Sequence, residues 1–214
     1  MLLKNLERPD LAEERTLMAQ GYRYIAGVDE AGRGSLAGPV VAAAVILPGD
    51  ISAPWLDQVR DSKQLSPARR EFLFGHIQEA AISVGVGAVS HEIIDARGIV
   101  GATRLAMKLA VDRLSAPPEF VLIDYMYLPE VFLPQKGITH GDCHCFSIAC
   151  ASIMAKVSRD AMMRELDGDY PGYGLARHKG YGTEGHLACL YRLGPSPIHR
   201  RSFRPVRDMV GRER

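Results

Sequence analysis

The chain has 214 residues, 47% hydrophobic and 24% charged, with a formal net charge of +1. That length suits one large domain, or one with a small appendage, and the composition excludes a disordered chain. The best apolar run, Val40 to Leu47, falls far short of the roughly 20 residues a membrane helix needs. The charged opening MLLKNLERPDLAEERT has no signal-peptide core, so a cytoplasmic protein with no membrane partner is expected.

Charge is unevenly placed. From Tyr170 onward there are nine basic residues against three acidic ones, so the first 169 residues carry a net −5. A basic tail beside an acidic body fits a protein that grips phosphates at one end and holds cations at the other, although a merely solvated basic surface would look the same.

Residues 1–20 read as a short amphipathic lead-in. Tyr24 to Val28 reads as a strand that ends at Asp29-Glu30 in the glycine-rich turn Ala31-Gly32-Arg33-Gly34. Pro39 to Leu47, rich in valine and alanine, reads as a buried central strand, closed by Pro48-Gly49-Asp50. Strands joined this tightly make an antiparallel pair. Ser66-Pro67 is a helix start, serine as N-cap and proline at the first helical position, with the helix running to about Ala81. Ile82 to Val89 is the third strand. Helical periodicity returns from about Ile99 to Leu114, with Val100, Leu105, Leu109 and Val111 near one apolar face. After the breaker Pro117-Pro118, Phe120 to Ile123 forms a strand ending at Asp124. A loop follows, then a long small-residue helix from Phe146 to Leu166. The Gly-, Tyr- and Pro-dense stretch 168–185 leads into a helical extension beginning near Thr183. The order describes an α/β fold, a mixed sheet flanked by helices. We expect a catalytic domain over 1–166 and a helical C-terminal substrate-binding segment over 167–214.

Four acidic residues stand where such a sheet delivers ligands: Asp29 and Glu30 at the end of the first strand, Asp124 at the end of a later one, and Asp142 in a loop before the long helix. Neighbours on a strand point to opposite faces, so Asp29 and Glu30 converge only if the strand ends between them. Gathered carboxylates raise one another's pKa, and divalent cations relieve the repulsion. All-oxygen ligands select Mg²⁺ or Mn²⁺, and two such ions suit phosphodiester hydrolysis. Gly32, Arg33 and Gly34 let backbone amides and a guanidinium approach a ligand. The turn lacks a Walker A ending, and Gly32, Gly34 and Gly38 miss the dinucleotide spacing. Ser62 and Lys63 offer a hydroxyl and a cation to a phosphate, or form a plain exposed loop. Tyr170, Tyr173 and Tyr181, interleaved with Arg177, His178 and Lys179, either hold bases and phosphates or pack a small domain. Cys143-His144-Cys145 has no second ligand pair at finger spacing, so all four cysteines read as reduced thiols rather than a zinc site.

At these residues the sequence resembles the bacterial ribonuclease HII family. The matching segments are Gly27–Gly34, Asp61-Ser62-Lys63, Leu122-Ile123-Asp124, Gly141-Asp142, Ala151–Asp160, His178–Tyr181 and His199–Phe203, in family order over about residues 24–206. The resemblance implies a ribonuclease H-like fold and an endonuclease that leaves 5′-phosphate and 3′-hydroxyl ends. It implies Asp29, Glu30, Asp124 and Asp142 as the catalytic quartet holding two Mg²⁺ or Mn²⁺ ions. Gly32, Arg33 and Gly34 would contact the ribose 2′-hydroxyl, and Tyr181 would stack on the sugar at the RNA–DNA junction. The implied partners are RNA–DNA hybrids and DNA duplexes containing ribonucleotides, with the chain acting as a monomer. The related HIII type usually carries Gly-Lys-Gly where this chain has Gly-Arg-Gly. Two departures flank the quartet: Tyr125-Met126-Tyr127, where the family often places glycine after the aspartate, and Cys143-His144-Cys145, which replaces more usual polar residues. Two other readings stay open, a non-catalytic hybrid-binding module and a nuclease of the same broad fold acting on DNA junctions.

Overall fold

The structure, a computed structural model, describes residues 8–211; residues 1–7 of the lead-in and Arg212, Glu213 and Arg214 of the basic tail lie outside them. A single sheet contains β1 (Ile25–Ala31), β2 (Val40–Ile46), β3 (Ser83–Val89), β4 (Phe120–Asp124) and β5 (Gln135–Ile138), in spatial order β3-β2-β1-β4-β5. The first three pair antiparallel, as the tight join of β1 to β2 requires, whereas β4 and β5 add in parallel. The sheet is therefore mixed. The helices are α1 (Ala12–Ala19), α2 (Pro67–Ala80), α3 (His91–Asp112), α4 (Gly141–His144), α5 (Phe146–Asp169), α6 (Leu175–His178), α7 (Glu184–Leu193) and α8 (Val206–Val210).

Every residue of β2 is buried because helices cover both faces of the sheet. Val40, Ala42 and Ala44 meet α3, while Ala43 and Val45 meet α2 and α5, the two-residue alternation of a strand. Each fully buried Val or Ile contributes roughly 1.5–3 kcal/mol, and the alanines between them let both helix layers come close. Close approach is also required at Gly27, where a Cβ would lie 2.2 Å from the Ser147 carbonyl carbon. Glycine there brings the start of α5 against β1, which places α5 beside the end of that strand.

Several boundaries depart from the sequence expectation. α3 begins at His91, but Gly98 breaks it with φ 72° and ψ 161°, so the expected start at Ile99 is its second segment. Val100, assigned to the apolar face, is exposed. α5 continues to Asp169. Asp142 lies in α4 rather than a loop, and β5 joins the edge of the sheet from a stretch whose sequence, QKGI, carries no strong strand pattern. The C-terminal segment packs on the turn after β1: Tyr173, Leu175 and Ile198 surround Ala37 and Met163, while Leu190 and Val206 surround Leu36. Among the described residues no helix is long and apolar enough to cross a membrane.

Candidate active site

Parallel pairing determines which residues meet. β1, β4 and β5 run the same way, so their C-terminal ends share one edge. Val28 pairs with Ile123, and the next residues, Asp29 and Asp124, therefore emerge side by side. Asp124 pairs in turn with Ile138 of β5. The chain then turns at His140, whose φ is 55°, into α4. There the Gly141 N–H donates to Asp124 Oδ1 at 2.7 Å, and Asp142 follows. Three strand ends thus deliver all four carboxylates to one region.

One expectation is corrected. β1 does not end between Asp29 and Glu30; it continues to Ala31, pairing Asp29 with Ala43 and Glu30 with Ala42. Alternation sends the two side chains to opposite faces. Asp29 turns to α5, where the Ser152 hydroxyl donates to it, and Glu30 turns to Arg33, 4.0 Å away. The pair straddles the sheet edge, and Asp29 Oδ1 accepts the Glu30 N–H at 2.7 Å.

The electrostatics are those of crowded, poorly hydrated anions. Burial above all, then Glu30 and Asp124, holds the Asp29 carboxyl well above the usual range. Burial pushes Glu30 up to about 7 despite Arg33, with Asp124 and Asp142 adding to the rise. Asp124 is raised by burial and by Asp142, against the opposing Gly141 hydrogen bond. Glu30 Oε2 is buried with no hydrogen-bond partner. An ionised carboxylate accepts only, so a buried oxygen without a donor lacks positive charge beside it. Glu30 with that deficit, crowded by Asp29, Asp124 and Asp142, fits hard divalent cations such as Mg²⁺ or Mn²⁺. Asp61, Asp142 and Cys143 also bring ligand atoms within 4.8 Å of one another. Burial, Asp142 and Asp61 push the Cys143 thiol up to about 11, so it is a protonated and poor metal ligand at neutral pH. All four cysteines are free thiols.

Cations border the site. Lys63 Nζ stands 3.8 Å from Asp142 Oδ2 on a largely exposed side chain. Ser62, in contrast, is buried, its hydroxyl 3.0 Å from Ser152 Oγ, which links the Lys63 loop to the helix behind Asp29. The Gly32-Arg33-Gly34 turn is held from beneath by two arginines to which sequence reasoning assigned no role. Arg200 donates to the carbonyls of Gly32 at 2.8 Å, Arg33 at 2.9 Å, Gly38 at 3.0 Å and Pro39 at 3.1 Å. Arg159 donates to Pro39, Lys179 and Ala37. A Cβ at Gly32, whose φ is 88°, would fall 1.8 Å from Arg159 Nε, whereas Gly34 faces open space. Both arginines are fully buried, their charge dispersed over backbone carbonyls. Their signal was present in the Ala151–Asp160 and His199–Phe203 segments, yet nothing local says that an arginine will point inward.

Tyr181 lies on a cleft of about 540 Å³ that it lines with Arg70, Lys156, Arg164, Arg177 and Lys179, beside the carboxylates of Glu71 and Asp160. Lys156 and Arg159 sit over its ring at 5.6 and 5.5 Å. A histidine chain holds its backbone. Ser196 N–H donates to His199 Nδ1 at 3.0 Å, which leaves the His199 proton on Nε2, facing His186 Nε2 at 3.1 Å. His186 Nδ1–H then donates to the Tyr181 carbonyl at 2.9 Å. Sequence reading missed this relay because its members are 13 residues apart and become neighbours only when α7 docks.

The family model for ribonuclease HII matches residues 26–206. The chain belongs to the ribonuclease HII family. It is 59% identical over 202 residues to the ribonuclease HII of Dehalococcoides mccartyi, covering 94% of this chain and 95% of that one. To the ribonuclease HII of Geobacillus kaustophilus it is 55% identical over 197 residues, covering 92% and 74%. Among solved structures it resembles ribonuclease H2 of Pyrococcus horikoshii, with a TM-score of 0.73 and 26% identity over 88% of this chain and 98% of that one. The RNase HII of Archaeoglobus fulgidus, solved with PCNA, gives a TM-score of 0.67 at 27% identity, covering 84% and 95%. As a ribonuclease HII family member, the protein is an endonuclease of the ribonuclease H type.

Proposed function

We propose that this ribonuclease HII family enzyme hydrolyses the RNA strand of RNA–DNA hybrids and cuts on the 5′ side of ribonucleotides embedded in duplex DNA, leaving 5′-phosphate and 3′-hydroxyl ends. The observation that carries this reading is the delivery of Asp29, Glu30, Asp124 and Asp142 to one sheet edge beside the open backbone at Gly34. In it, the four carboxylates hold two Mg²⁺ or Mn²⁺ ions. Those ions, when bound, supply the Lewis acidity that activates an attacking water and steadies the leaving oxygen.

The protein's own residues do the rest. Gly141 N–H and Ser152 Oγ–H aim Asp124 and Asp29 at the centre. Gly32, Arg33 and Gly34 meet the ribose 2′-hydroxyl, the one group that separates RNA from DNA at a given position. Arg200 keeps that turn rigid enough to read it. Lys63, its loop backed by Ser62, meets a phosphate next to Asp142. Tyr181 stacks on the sugar at the RNA–DNA junction, and the cations of its cleft and of segment 167–214 follow the DNA backbone.

The test is a duplex containing one ribonucleotide, incubated with Mg²⁺, with EDTA, and beside an all-DNA control. The expected result is a single nick with Mg²⁺ only and no cutting of the control. A nicked control would point to a DNA junction nuclease instead, and binding without any nick to a non-catalytic module. Asp29→Asn or Asp124→Asn should fold and bind the duplex with kcat lowered by roughly two orders of magnitude or more. Full activity in either variant would defeat the assignment of the quartet.

A further inference from the structure

Tyr125 occupies a position that a tyrosine does not take for backbone reasons. It follows Asp124 directly and has φ 45°, in the left-handed region where a bulky side chain is disfavoured. The conformation is imposed from both sides. Tyr125 N–H donates to Ile138 O at 2.9 Å, and Met126 N–H closes a three-residue turn onto Asp124 O. Against this turn packs Gly137, where a Cβ would lie 2.7 Å from Met126 O and 3.3 Å from Tyr125 O. The ring is not kept for core packing either, since the residue is 43% exposed. Its ring meets the Arg33 guanidinium, 5.2 Å from the ring centroid. Strain at such a position persists where the side chain has a use.

Arg33 explains the use. Its carbonyl is fixed by Arg200, but its guanidinium stands at the end of a flexible side chain, with Glu30 only at 4.0 Å. A carboxylate that gives its charge to cations is a weak guide for that guanidinium. An aromatic face guides it without competing for them. We infer that Tyr125 is a positioning residue: its ring is the plate on which the Arg33 guanidinium rests, setting that group over the ribose of the substrate before binding. The inference rests on the substrate reading given above. The phenol oxygen has no part in it, and the ring acts through Arg33 rather than on the nucleic acid.

The experiment compares Tyr125→Phe, Tyr125→Leu and Tyr125→Gly with the wild type. Kd for a duplex containing one ribonucleotide is read by fluorescence anisotropy in Ca²⁺, and kcat is read in Mg²⁺. Leucine bears the same backbone penalty as tyrosine but has no ring face, so Tyr125→Leu should weaken binding about fivefold with kcat within twofold of wild type. Tyr125→Phe should match wild type in both. Tyr125→Gly should melt at or above the wild-type temperature, because it relieves the left-handed strain, yet bind as weakly as Tyr125→Leu. In an Arg33→Ala background, Tyr125→Leu should cost nothing further. Unchanged Kd in Tyr125→Leu overturns the inference. So does a loss confined to kcat, which would make the ring a prop for Asp124, or an undiminished loss in the Arg33→Ala background, which would place it on the nucleic acid itself. A wild type that binds this duplex but never cuts it sinks the proposed activity and leaves the Tyr125 comparison readable.

Discussion

At Glu30 the fold concentrates a cost that a proton or a cation relieves. Its side chain is held between burial, which favours the protonated form, and Arg33, which opposes it, and the balance lies at about 7. Its Oε2 has no donor. Glu30→Gln removes the charge and keeps the shape, so in EDTA at pH 8 the variant should melt above wild type by differential scanning fluorimetry. Its rise in melting temperature on adding Mg²⁺ should shrink. A variant that melts lower and responds fully to Mg²⁺ would show that Glu30 takes no part in holding the ion. At this scale the sequence showed where Asp29, Glu30 and Asp124 stand, at the ends of strands that carry the acids to one edge together with Asp142. What the sequence hid is orientation. That Ser62 faces Ser152 and Lys63 faces Asp142 depends on a short turn whose one side chain is buried and whose next is exposed.

Elements show the same division. The strongly patterned ones, β2 with its unbroken apolar and wholly buried run and α2 with its Ser66 cap on Arg69 N–H, follow from local sequence. α5 is different. Its N-cap, Cys145, makes no side-chain capping bond, and the acceptor comes instead from α1: Glu14 Oε1 takes the Ser147 N–H at 2.7 Å and the Cys145 thiol at 3.1 Å. The described part of the amphipathic lead-in thus completes the start of α5, joined also by Phe146 N–H to Asp10 O. No pattern within α5 announces an acceptor 133 residues away. Glu14→Ala should destabilise the protein by about 1–3 kcal/mol in urea unfolding, since it leaves the Ser147 N–H buried and unpaired at a helix N-terminus. A change below about 0.5 kcal/mol would mean that another group takes over the cap. β5 escaped notice for a related reason: Gln135 is in the strand because its side chain bonds the Leu128 and Val131 backbones, not because its neighbours alternate.

For the whole molecule, the C-terminal segment and the body are coupled through polar groups as well as through apolar area. Asp95 in the first part of α3 accepts from Arg201 N–H, Ser202 N–H and the Ser202 hydroxyl, and the histidine relay joins α7 to the Tyr181 backbone. Burial first, then His186, lowers His199 to about 4, against 6.5 for an ordinary histidine. The unfolded chain therefore binds a proton that the folded one refuses between those values. Its contribution to stability is complete above pH 6.5, declines as pH falls, and is gone below pH 4. Between pH 7 and pH 5 this loss is about 2 kcal/mol. His199→Gln should lie closer to wild type at pH 5 than at pH 7 in urea unfolding, and a constant gap would remove His199 from the acid sensitivity. Composition told of a basic tail and an acidic body. It did not tell that Arg200, counted among the surface charges of that tail, is wholly enclosed.

That enclosure sets an order of completion. A chain made only as far as Asp169 already contains the four acids and every strand of the sheet, but the Gly32 and Arg33 carbonyls still await the guanidinium of residue 200. On the proposed reading, the acids that break a phosphodiester are encoded early and the turn that chooses a ribose is finished late, by a guanidinium among the last residues to be made.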